Sequence, residues 1–574
     1  PVTPTHHDKY ATLSANNHCR TPQHESVNDN NNASWVHTRV KEPDGSDYFS
    51  GTATHYFIEG RLDILPGVNL SLSNAELTMH RGAEINIFPG ATLDLTNCQI
   101  TTCDEDNPWD FIRVIGAEGQ NLHGDGTFNF SGTSGLPLIE HGRIALYSHN
   151  GGDVYIDNAV LEHNKVHAYI YGNEDANVLI RNSAFGDAIN YSVSYSSINT
   201  INSVYNSEKT YILAENSDNV NFNNNMFFGM TSNDGYTGIT MQGGSDNLIQ
   251  DNEFEDGYLD YAIHCTDAED YDILSNDICN TKTTQGGCHI ETGISMNYTN
   301  TAGNIVSDVV ENNMKYMELG MVYLHDNPPS GFNSKCSLNV FKGNTVGIYV
   351  ATDDVSYELY GCGTCTSNNS TSTTNSINLK MSCNDFHNND VGVLGYGKLV
   401  DQGTAATSHG NDWGGTTSSD NYHYDVFWGG VATTWYSKND EPNFSVSTTA
   451  PDYCISCTNF SYSNMATYVT TSVATNQACT PTPPFAAIDE ENGVHIDLYP
   501  NPFSSEIFVD IAATEGNDEL VVTMFDLQGR VVYAREGVTP GLLAIPTNSV
   551  GKGAYIIQVK MNDEAPQIFR VLKG

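Results

Sequence analysis

The feature that most constrains this chain is a short pattern that returns along most of its length. The pattern has eight positions, with apolar residues at the first, third and eighth and Asn, Asp, Ser or Cys at the fifth. Asn74 is followed by Asn97 after 23 positions, and Asn158 is followed by Asn182 after 24. Such a period is typical of a solenoid, whose repeats stack because none can bury its apolar face alone. Copies begin at Leu70, Leu93, Val154, Val178, Val220, Asn247, Tyr271 and Leu379.

Each copy predicts a short strand, a bend at the small polar residue and a second strand. We expect the polar side chains at the bend to bond neighbouring rungs and form a ladder. Eight positions before three of the copies lie Ile170, Ile239 and Ile263, which predict a further strand and an apolar column. The longer interval between Asn182 and Asn224 indicates an inserted loop or an unrecognised rung.

This repeat resembles the right-handed parallel β-helix, or pectin-lyase-like, superfamily over roughly residues 55–400. The rival solenoid is the leucine-rich repeat, but its longer Leu-x-x-Leu-x-Leu consensus is absent. The predicted fold class is therefore all-β, a right-handed parallel β-helix followed by a small C-terminal β-sandwich. The predicted domains are an irregular N-terminal segment or cap (1–54), the β-helix (55–400), last rungs and a cap (401–480), a linker (481–493) and a C-terminal domain (494–574).

Three motifs occur in order within the C-terminal domain, between apolar runs that predict strands. They contribute Tyr499, Pro500, Asn501, Pro502 and Phe503, then Asp526, Gly529 and Arg530, then Gly553, Tyr555 and Val559, with Lys573 near the end. The domain resembles the type A sorting domain of type IX secretion cargo in Bacteroidota; an unrelated fibronectin-like module is the alternative. The resemblance implies recognition by an outer-membrane translocon and shuttle. It also implies later removal by a sortase-like protease with attachment of a lipopolysaccharide-type anchor.

The charge balance excludes one class of partner. The chain has 24 Lys and Arg against 69 Asp and Glu, a formal net charge of −45. Such a field repels nucleic acid, so we expect no nucleic-acid partner. Carboxylates of this number could collect calcium, but no Asp-x-Asp-x-Asp-Gly loop is present, so no metal ligand and no cofactor is assigned.

The 13 cysteines suit an oxidising compartment. Cys98 with Cys103 and Cys279 with Cys288 are close enough in sequence for local disulfides. The two Cys-x-x-Cys pairs, Cys362 with Cys365 and Cys454 with Cys457, suit disulfides or a zinc site, and export favours disulfides.

A polysaccharide lyase needs a Lys or Arg base and cations that neutralise uronate carboxylates. The candidate catalytic residues are Lys165, His167 and Arg181, with Arg143 upstream. The family's hydrolase signatures on consecutive rungs are missing. These few cations could equally form salt bridges.

A second set of residues suggests sugar binding. Alignment of the repeats places Tyr171, Thr240 and His264 in one column, with Gln242 and Thr266 two positions further on. Rings and amides so arranged can stack on and hydrogen-bond a sugar chain, or can simply be solvent-facing sheet. Nearby carboxylates are Asp260, Asp267 and Asp270.

The chain is therefore expected to be an exported cell-surface protein, acting as a non-catalytic adhesin or as a structural or assembly subunit. Its expected partners are the type IX translocon and shuttle, with glycans, other cell surfaces or further copies of itself. The alternative is a secreted polysaccharide lyase or glycoside hydrolase that acts on acidic glycans. Fold alone does not choose between them.

Overall fold

A computed structural model describes residues between 55 and 573, with gaps. The longest gaps are 189–208, 353–378, 414–423, 431–445, 448–474 and 477–494. The predicted N-terminal cap (1–54) and linker (481–493) lie outside the described residues. By contacts the chain divides into two compact units, Pro1–Pro481 and Thr482–Gly574. In the described part of the chain, no helix is long and apolar enough to cross a membrane.

The first unit contains three long parallel sheets, which the chain visits in turn once per rung. Sheet 1 consists of His55–Ile58, Glu76–Met79, Gln99–Thr102, Leu138–Glu140, Val160–Glu162, Ala184–Phe185, Met226–Phe227, Glu253–Phe254, Asp277–Ile278, Asn313–Lys315, Val340–Lys342 and Asp385–His387. Sheet 2 consists of Arg61–Ile64, Glu84–Ile87, Trp109–Ile115, Gly142–His149, Val166–Tyr171, Thr210–Glu215, Thr237–Gln242, Leu259–Thr266, Ile290–Tyr298, Leu319–His325, Val346–Thr352, Val391–Gly397, Tyr424–Gly430 and Val446–Ser447. Sheet 3 consists of Asn69–Ser73, Thr92–Thr96, Thr127–Ser131, Asp153–Asp157, Val178–Arg181, Val220–Asn223, Asn247–Gln250, Tyr271–Leu274, Asp308–Val310, Ser334–Ser337 and Leu379–Ser382. Thr407–Ser408 pairs separately with Thr475–Asn476.

These sheets form a parallel β-helix and confirm the predicted fold class. The template residues stack in register, since Val154 pairs with Val178 and Val178 pairs with Val220. The strands on either side of the long interval between Asn182 and Asn224 are thus direct neighbours. That interval holds an insertion and not a missed rung.

The expected ladder is present, but most of it lies one residue further along the chain. The fifth template position adopts left-handed backbone, with φ of 55° at Asn158 and 52° at Asn182. Asn tolerates this conformation better than most residues, which accounts for its frequency at the bend. Some side chains at the bend do bond across rungs, as Asn224 Nδ2 does to Asn182 Oδ1 at 2.7 Å. The continuous ladder is formed by the next residue, which points inward.

This inner asparagine ladder satisfies the buried backbone at the bend. Asn312 Oδ1 accepts hydrogen bonds from the backbone N–H and from Nδ2 of Asn276, both at 2.9 Å. Asn312 Nδ2 donates to the carbonyl of Ile273 at 2.8 Å, so one side chain joins several backbone groups. Its members are Asn225, Asn252, Asn276, Asn312, Asn339, Asn384 and Asn411, all buried.

Apolar stacks run beside the ladder through the interior. Phe185, Phe227 and Phe254 stack with centroid separations of 4.8 and 4.5 Å. Close packing also fixes a glycine: a Cβ on Gly320 would lie 2.6 Å from the carbonyl oxygen of Gly347. The interior is thus filled by like residues repeated from rung to rung.

The second unit has two antiparallel sheets. One contains His495–Tyr499, Glu506–Ala512 and Gly541–Pro546, and the other contains Val531–Val538, Leu520–Asp526, Gly553–Met561 and Gln567–Lys573. Buried residues of both sheets, including Val509, Ile545, Met524 and Ile557, form one core. The predicted β-sandwich is confirmed.

The described cysteines correct one disulfide prediction. Cys98 is a free, buried thiol, so the expected bridge to Cys103 is wrong; its side chain packs in the helix core. Cys279 is disulfide-bonded, as is Cys383. Cys288 lies outside the described residues, so its pairing with Cys279 stays a prediction, as do the roles of Cys362, Cys365, Cys454 and Cys457.

Replacing Asn312 by Ala should destabilise the first unit by roughly 3 kcal/mol, because buried donors and acceptors on both sides lose their partners. The matched control is Asn313→Ala, whose side chain is half-buried and bonds Asp277 at 3.0 Å. We expect the control to cost less than about 1 kcal/mol. Chemical denaturation of both variants measures the difference; equal losses would contradict the role given to the ladder.

Candidate functional site

The outer face of sheet 2 carries most of the residues singled out by the sequence. Alternate residues of a strand point to opposite faces. Ile212 and Ala214 belong to the interior core, whereas Leu213 belongs to a separate apolar cluster on the outer side. Residues in register with Leu213, and those two positions further on, therefore form two adjacent outer rows. Row 1 contains Tyr147, Tyr169, Leu213, Thr240 and His264, and row 2 contains His149, Tyr171, Glu215, Gln242 and Thr266.

The predicted binding column is wrong in one position. Thr240 and His264 are paired, as expected, and so are Gln242 and Thr266. Tyr171, however, belongs to row 2 with Gln242, and Tyr169 occupies the place expected for it. The turn after Tyr171 spans six residues (172–177), whereas the turn after Gln242 spans four (243–246). Ile170 is displaced for the same reason and aligns with Met241, not with Ile239.

An aromatic cluster covers the N-terminal part of this face. The rings of Tyr147 and Tyr169 stack at 5.2 Å, and those of Tyr147 and His149 stack at 5.0 Å. Arg113 lies over the ring of Phe111 at 4.6 Å. Tyr169 is fully buried, whereas Tyr171 remains 36% exposed. The cluster therefore presents a solvent-accessible ring at its edge on a rigid support.

Burial controls the charges around this cluster. It lowers the pKa of the Arg113 guanidinium and raises the pKa of the neighbouring Glu84 carboxyl. Burial also lowers the pKa of His149, so this ring is neutral near pH 7. The hydroxyl of Tyr169 donates to the carboxylate of Glu215 in the next rung.

Three cations lie at the start of successive strands of sheet 2. Arg143 is in Gly142–His149, Lys165 directly precedes Val166–Tyr171, and Lys209 directly precedes Thr210–Glu215. We call Arg143, Lys165 and Lys209 the cation column. Arg143 forms an ion pair with Asp110 at 3.0 Å. Burial, with repulsion from Arg143 and Lys209, lowers the pKa of Lys165 to about 8.

The structure separates the other two lyase candidates from this column. His167 is fully buried and bonds the Asn164 side chain at 3.1 Å and the Gly186 carbonyl at 2.9 Å. Burial lowers its pKa to about 3. Arg181 lies on sheet 3, where it pairs with Asp157 at 3.2 Å. The expected placement on neighbouring rungs is wrong: Lys165 directly precedes the strand of sheet 2 that contains His167, and Arg181 belongs to the strand of sheet 3 that follows it along the chain. The three candidates do not form one surface cluster.

The carboxylates near His264 are also dispersed. Asp260 lies near the start of Leu259–Thr266, whereas Asp267 and Asp270 follow its end and have positive φ. At about 3.3 Å per residue, the strand separates the two groups by roughly 20 Å. His264 Nε2 lies 3.2 Å from the Thr266 hydroxyl, and its ring lies 4.8 Å from that of Tyr261. This part of the face offers hydrogen-bonding groups rather than a paired acid and base.

In the second unit, several motif residues meet at one end of the four-stranded sheet. Asp526 pairs with Tyr555, and Gly553 pairs with Lys573. Arg530 directly precedes the strand Val531–Val538 and is exposed. Tyr499 ends a strand of the other sheet, and Val559 is buried in the core. Pro500, Asn501, Pro502, Phe503 and Gly529 lie outside the described residues.

The burial of the neutral His167 imidazole should make the protein less stable as the pH falls. The folded pKa lies below the value of about 6.5 in an unfolded chain, so the unfolded state binds more protons between about pH 6.5 and 3. The free energy of unfolding should therefore fall by roughly 3 kcal/mol between pH 7 and 4 because of this residue.

His167→Gln should flatten that part of the pH dependence, whatever it does to stability at pH 7. His289→Gln, at an exposed histidine, is the control and should leave the slope unchanged. Denaturant unfolding of the three proteins across this pH range provides the measurement. An unaltered slope in His167→Gln would contradict a buried, neutral imidazole.

Comparison with known proteins identifies two parts of the chain. A family model described as the secretion system C-terminal sorting domain matches residues 497–570. The model of the NosD family, described as a periplasmic copper-binding protein, matches residues 120–287. No curated protein matches the chain.

The two matches agree with the architecture of their segments. NosD is a parallel β-helix family, and its match falls within the three-sheet solenoid. The sorting-domain match covers the antiparallel sandwich, and it implies contact with the type IX secretion machinery. The chain is thus a type IX secretion cargo, exported to the cell surface or beyond, that joins a parallel β-helix to a C-terminal sorting domain.

Proposed function

We propose that the β-helix is a non-catalytic surface module that binds an acidic polysaccharide along the outer face of sheet 2. The observation that carries this proposal is the cation column, in which Arg143, Lys165 and Lys209 lie on three successive rungs. Lys209 is exposed, whereas Arg143 and Lys165 reach the surface with only 6% of their area each. The chain has only 24 cationic against 69 acidic side chains, and its net charge of −45 repels polyanions in general, so the attraction for this ligand has to come locally from the cation column. A polymer that repeats carboxylate or sulfate groups matches a row of cations that repeats with the rungs.

The two outer rows supply the remaining contacts. Tyr171 is 36% exposed, and aromatic side chains contribute large contact areas at low entropic cost. Gln242 and Thr266 continue row 2 with side chains that donate and accept hydrogen bonds. The buried rings of Tyr147 and Tyr169 hold this face in place, which limits the ordering cost of binding.

A binding role suits these residues better than a lyase role. His167 is sealed from solvent, and Arg181 is on another sheet, so neither can assist Lys165 at one sugar ring. Binding of glycans at the cell surface is the activity of an adhesin. Self-assembly through the ends of the solenoid stays a prediction.

Tyr171→Ala should weaken binding of an acidic polysaccharide about tenfold, which corresponds to ~1.4 kcal/mol. The matched control is Tyr155→Ala, because Tyr155 has the same exposure (37% against 36%) but lies on sheet 3. Calorimetry or a glycan array with uronate-containing and sulfated polysaccharides measures the effect. Equal losses in both variants, or no binding by the natural protein, would contradict the proposed surface.

A lyase is the second candidate, and the lowered pKa of Lys165 favours it. With a pKa of about 8, a substantial fraction of this amine is neutral near pH 8 and able to take a proton. If Lys165 is a catalytic base, unsaturated sugar products should form faster as the pH rises through 8. Lys165→Gln should abolish that turnover while Lys335→Gln, at an exposed lysine of sheet 3, retains it. If no unsaturated products form at any pH, the lyase candidate is contradicted and binding remains as the proposed role.

The description of the NosD family names copper, which raises the question of whether residues of the matched segment could bind a copper ion. Among the described thiols of that segment, Cys265 is buried with a raised pKa and Cys279 is disulfide-bonded. Neither is a thiolate ligand of the kind that Cu(I) prefers. In the described part of the matched segment, Glu140, His141 and His163 bring imidazole and carboxylate donors close together at the turn between sheets 1 and 2.

A further inference from the structure

Two successive rungs carry histidine at the turn from sheet 1 to sheet 2. Glu140 ends one strand of sheet 1 and Glu162 ends the next, and these two residues are paired in the sheet. The following residues, His141 and His163, both have left-handed backbone, with φ of 60° and 55°. Their imidazole rings stack with centroids 5.4 Å apart and an angle of 21° between planes. The stacking of the rungs therefore brings together residues that are 22 positions apart in the sequence.

The two imidazoles converge on one carboxylate oxygen. Glu140 Oε2 lies 3.7 Å from His141 Nε2 and 3.9 Å from His163 Nδ1. One potential ligand atom from each residue lies within 4.8 Å of the other two. Around a tetrahedral ion with bonds of about 2.0–2.1 Å, ligand atoms are roughly 3.4 Å apart. The 3.7 Å and 3.9 Å separations would have to shorten by a few tenths of an ångström, and the longest by at most about 1.4 Å. Side-chain rotations of that size would complete a three-ligand site.

The backbone around this cluster is held by buried contacts. Trp109 Nε1 donates to the Glu140 carbonyl at 2.7 Å. The Asn164 side chain accepts from the Gly142 N–H at 2.7 Å and donates to the Ile139 carbonyl at 2.9 Å. These contacts fix the two turns relative to each other, so binding an ion would not require the rungs to move.

The carboxylate itself is oriented. The Thr101 hydroxyl donates to Glu140 Oε1, which leaves Oε2 directed at the two imidazoles. A hydrogen bond of this kind to a ligand fixes its orientation and raises metal affinity. The Glu140 carboxylate is therefore oriented so that Oε2 can serve as a metal ligand together with the two imidazoles.

We propose that Glu140, His141 and His163 form a binding site for a divalent transition-metal ion. Two imidazole nitrogens with one carboxylate oxygen suit Zn²⁺, Cu²⁺ or Ni²⁺, whereas Ca²⁺ and Mg²⁺ prefer all-oxygen sites. The side chain of His163 is 39% exposed, so an ion can enter from solvent and keep water as a further ligand. The bound ion bridges two rungs and stabilises their stacking.

The test is a titration of the chelator-treated full chain with Zn²⁺, Cu²⁺ and Ca²⁺, followed by calorimetry and thermal unfolding. The informative variants are His141→Asn and His163→Asn, because Asn retains the left-handed backbone and removes the imidazole. The matched control is His387→Asn, at a histidine of sheet 1 that pairs with Asp385 at 2.5 Å.

The natural chain should bind one more Zn²⁺ or Cu²⁺ ion than either cluster variant, or bind it at least tenfold more tightly. These ions, but not Ca²⁺, should raise its melting temperature, and the shift should vanish in His141→Asn and His163→Asn but persist in His387→Asn. Unchanged stoichiometry, affinity and thermal shift in both cluster variants would overturn the proposal. If a variant fails to fold without metal, Glu140→Gln provides the same test with the shape of the side chain retained.

Discussion

In-register stacking of the rungs is the constraint on which the rest of the first unit depends. Each strand pairs in parallel with the equivalent strand of the next rung, so every side chain lies above one from the preceding rung. A rung has too little apolar surface to be stable alone, and only the stack buries its interior. The inner asparagine ladder reinforces this arrangement, because each amide joins backbone groups of adjacent rungs at a bend where strand pairing is interrupted.

The same constraint explains how functional residues come together. A residue type at one position of several rungs becomes a straight row, with a spacing of about 4.8 Å between rungs. The cation column, the stacked tyrosines and the histidine pair are three results of this rule, on one face and one turn of the same segment. Linear, rigid rows suit ligands that are themselves linear and repetitive. They also allow a single turn to place two imidazoles at one point.

The sequence predicted the solenoid and the sandwich well, because both depend on periodic apolar residues and short motifs. It was less successful wherever a turn changed length. Two additional residues after Tyr171 shifted that side chain by one row, and no local pattern marks such an insertion. The rungs at Asp308–Val310 and Ser334–Ser337 escaped the template because Glu311 and Leu338 occupy their bends.

The inner asparagine ladder and the histidine pair also leave a pattern in the sequence, but the eight-position template did not include it. Asn follows a described bend residue of positive φ in six rungs, and a search for that position would have found the inner ladder. The histidines become neighbours only once the strands of sheet 1 are aligned, since Glu140 and Glu162 precede them in register. The burial of Cys98 and His167 depends on the packed interior and not on nearby residues. The sequence therefore predicts which residues align from rung to rung better than it predicts how deeply each of those side chains is buried.

The most direct measurement is footprinting of the full chain by hydroxyl radicals, with and without a bound acidic polysaccharide. The proposed binding surface predicts that Tyr171 becomes protected in the complex while Tyr155, which is equally exposed on sheet 3, keeps its reactivity. Protection of Tyr155 alone, or of neither tyrosine in a saturated complex, would show that the outer face of sheet 2 is not where the polysaccharide binds.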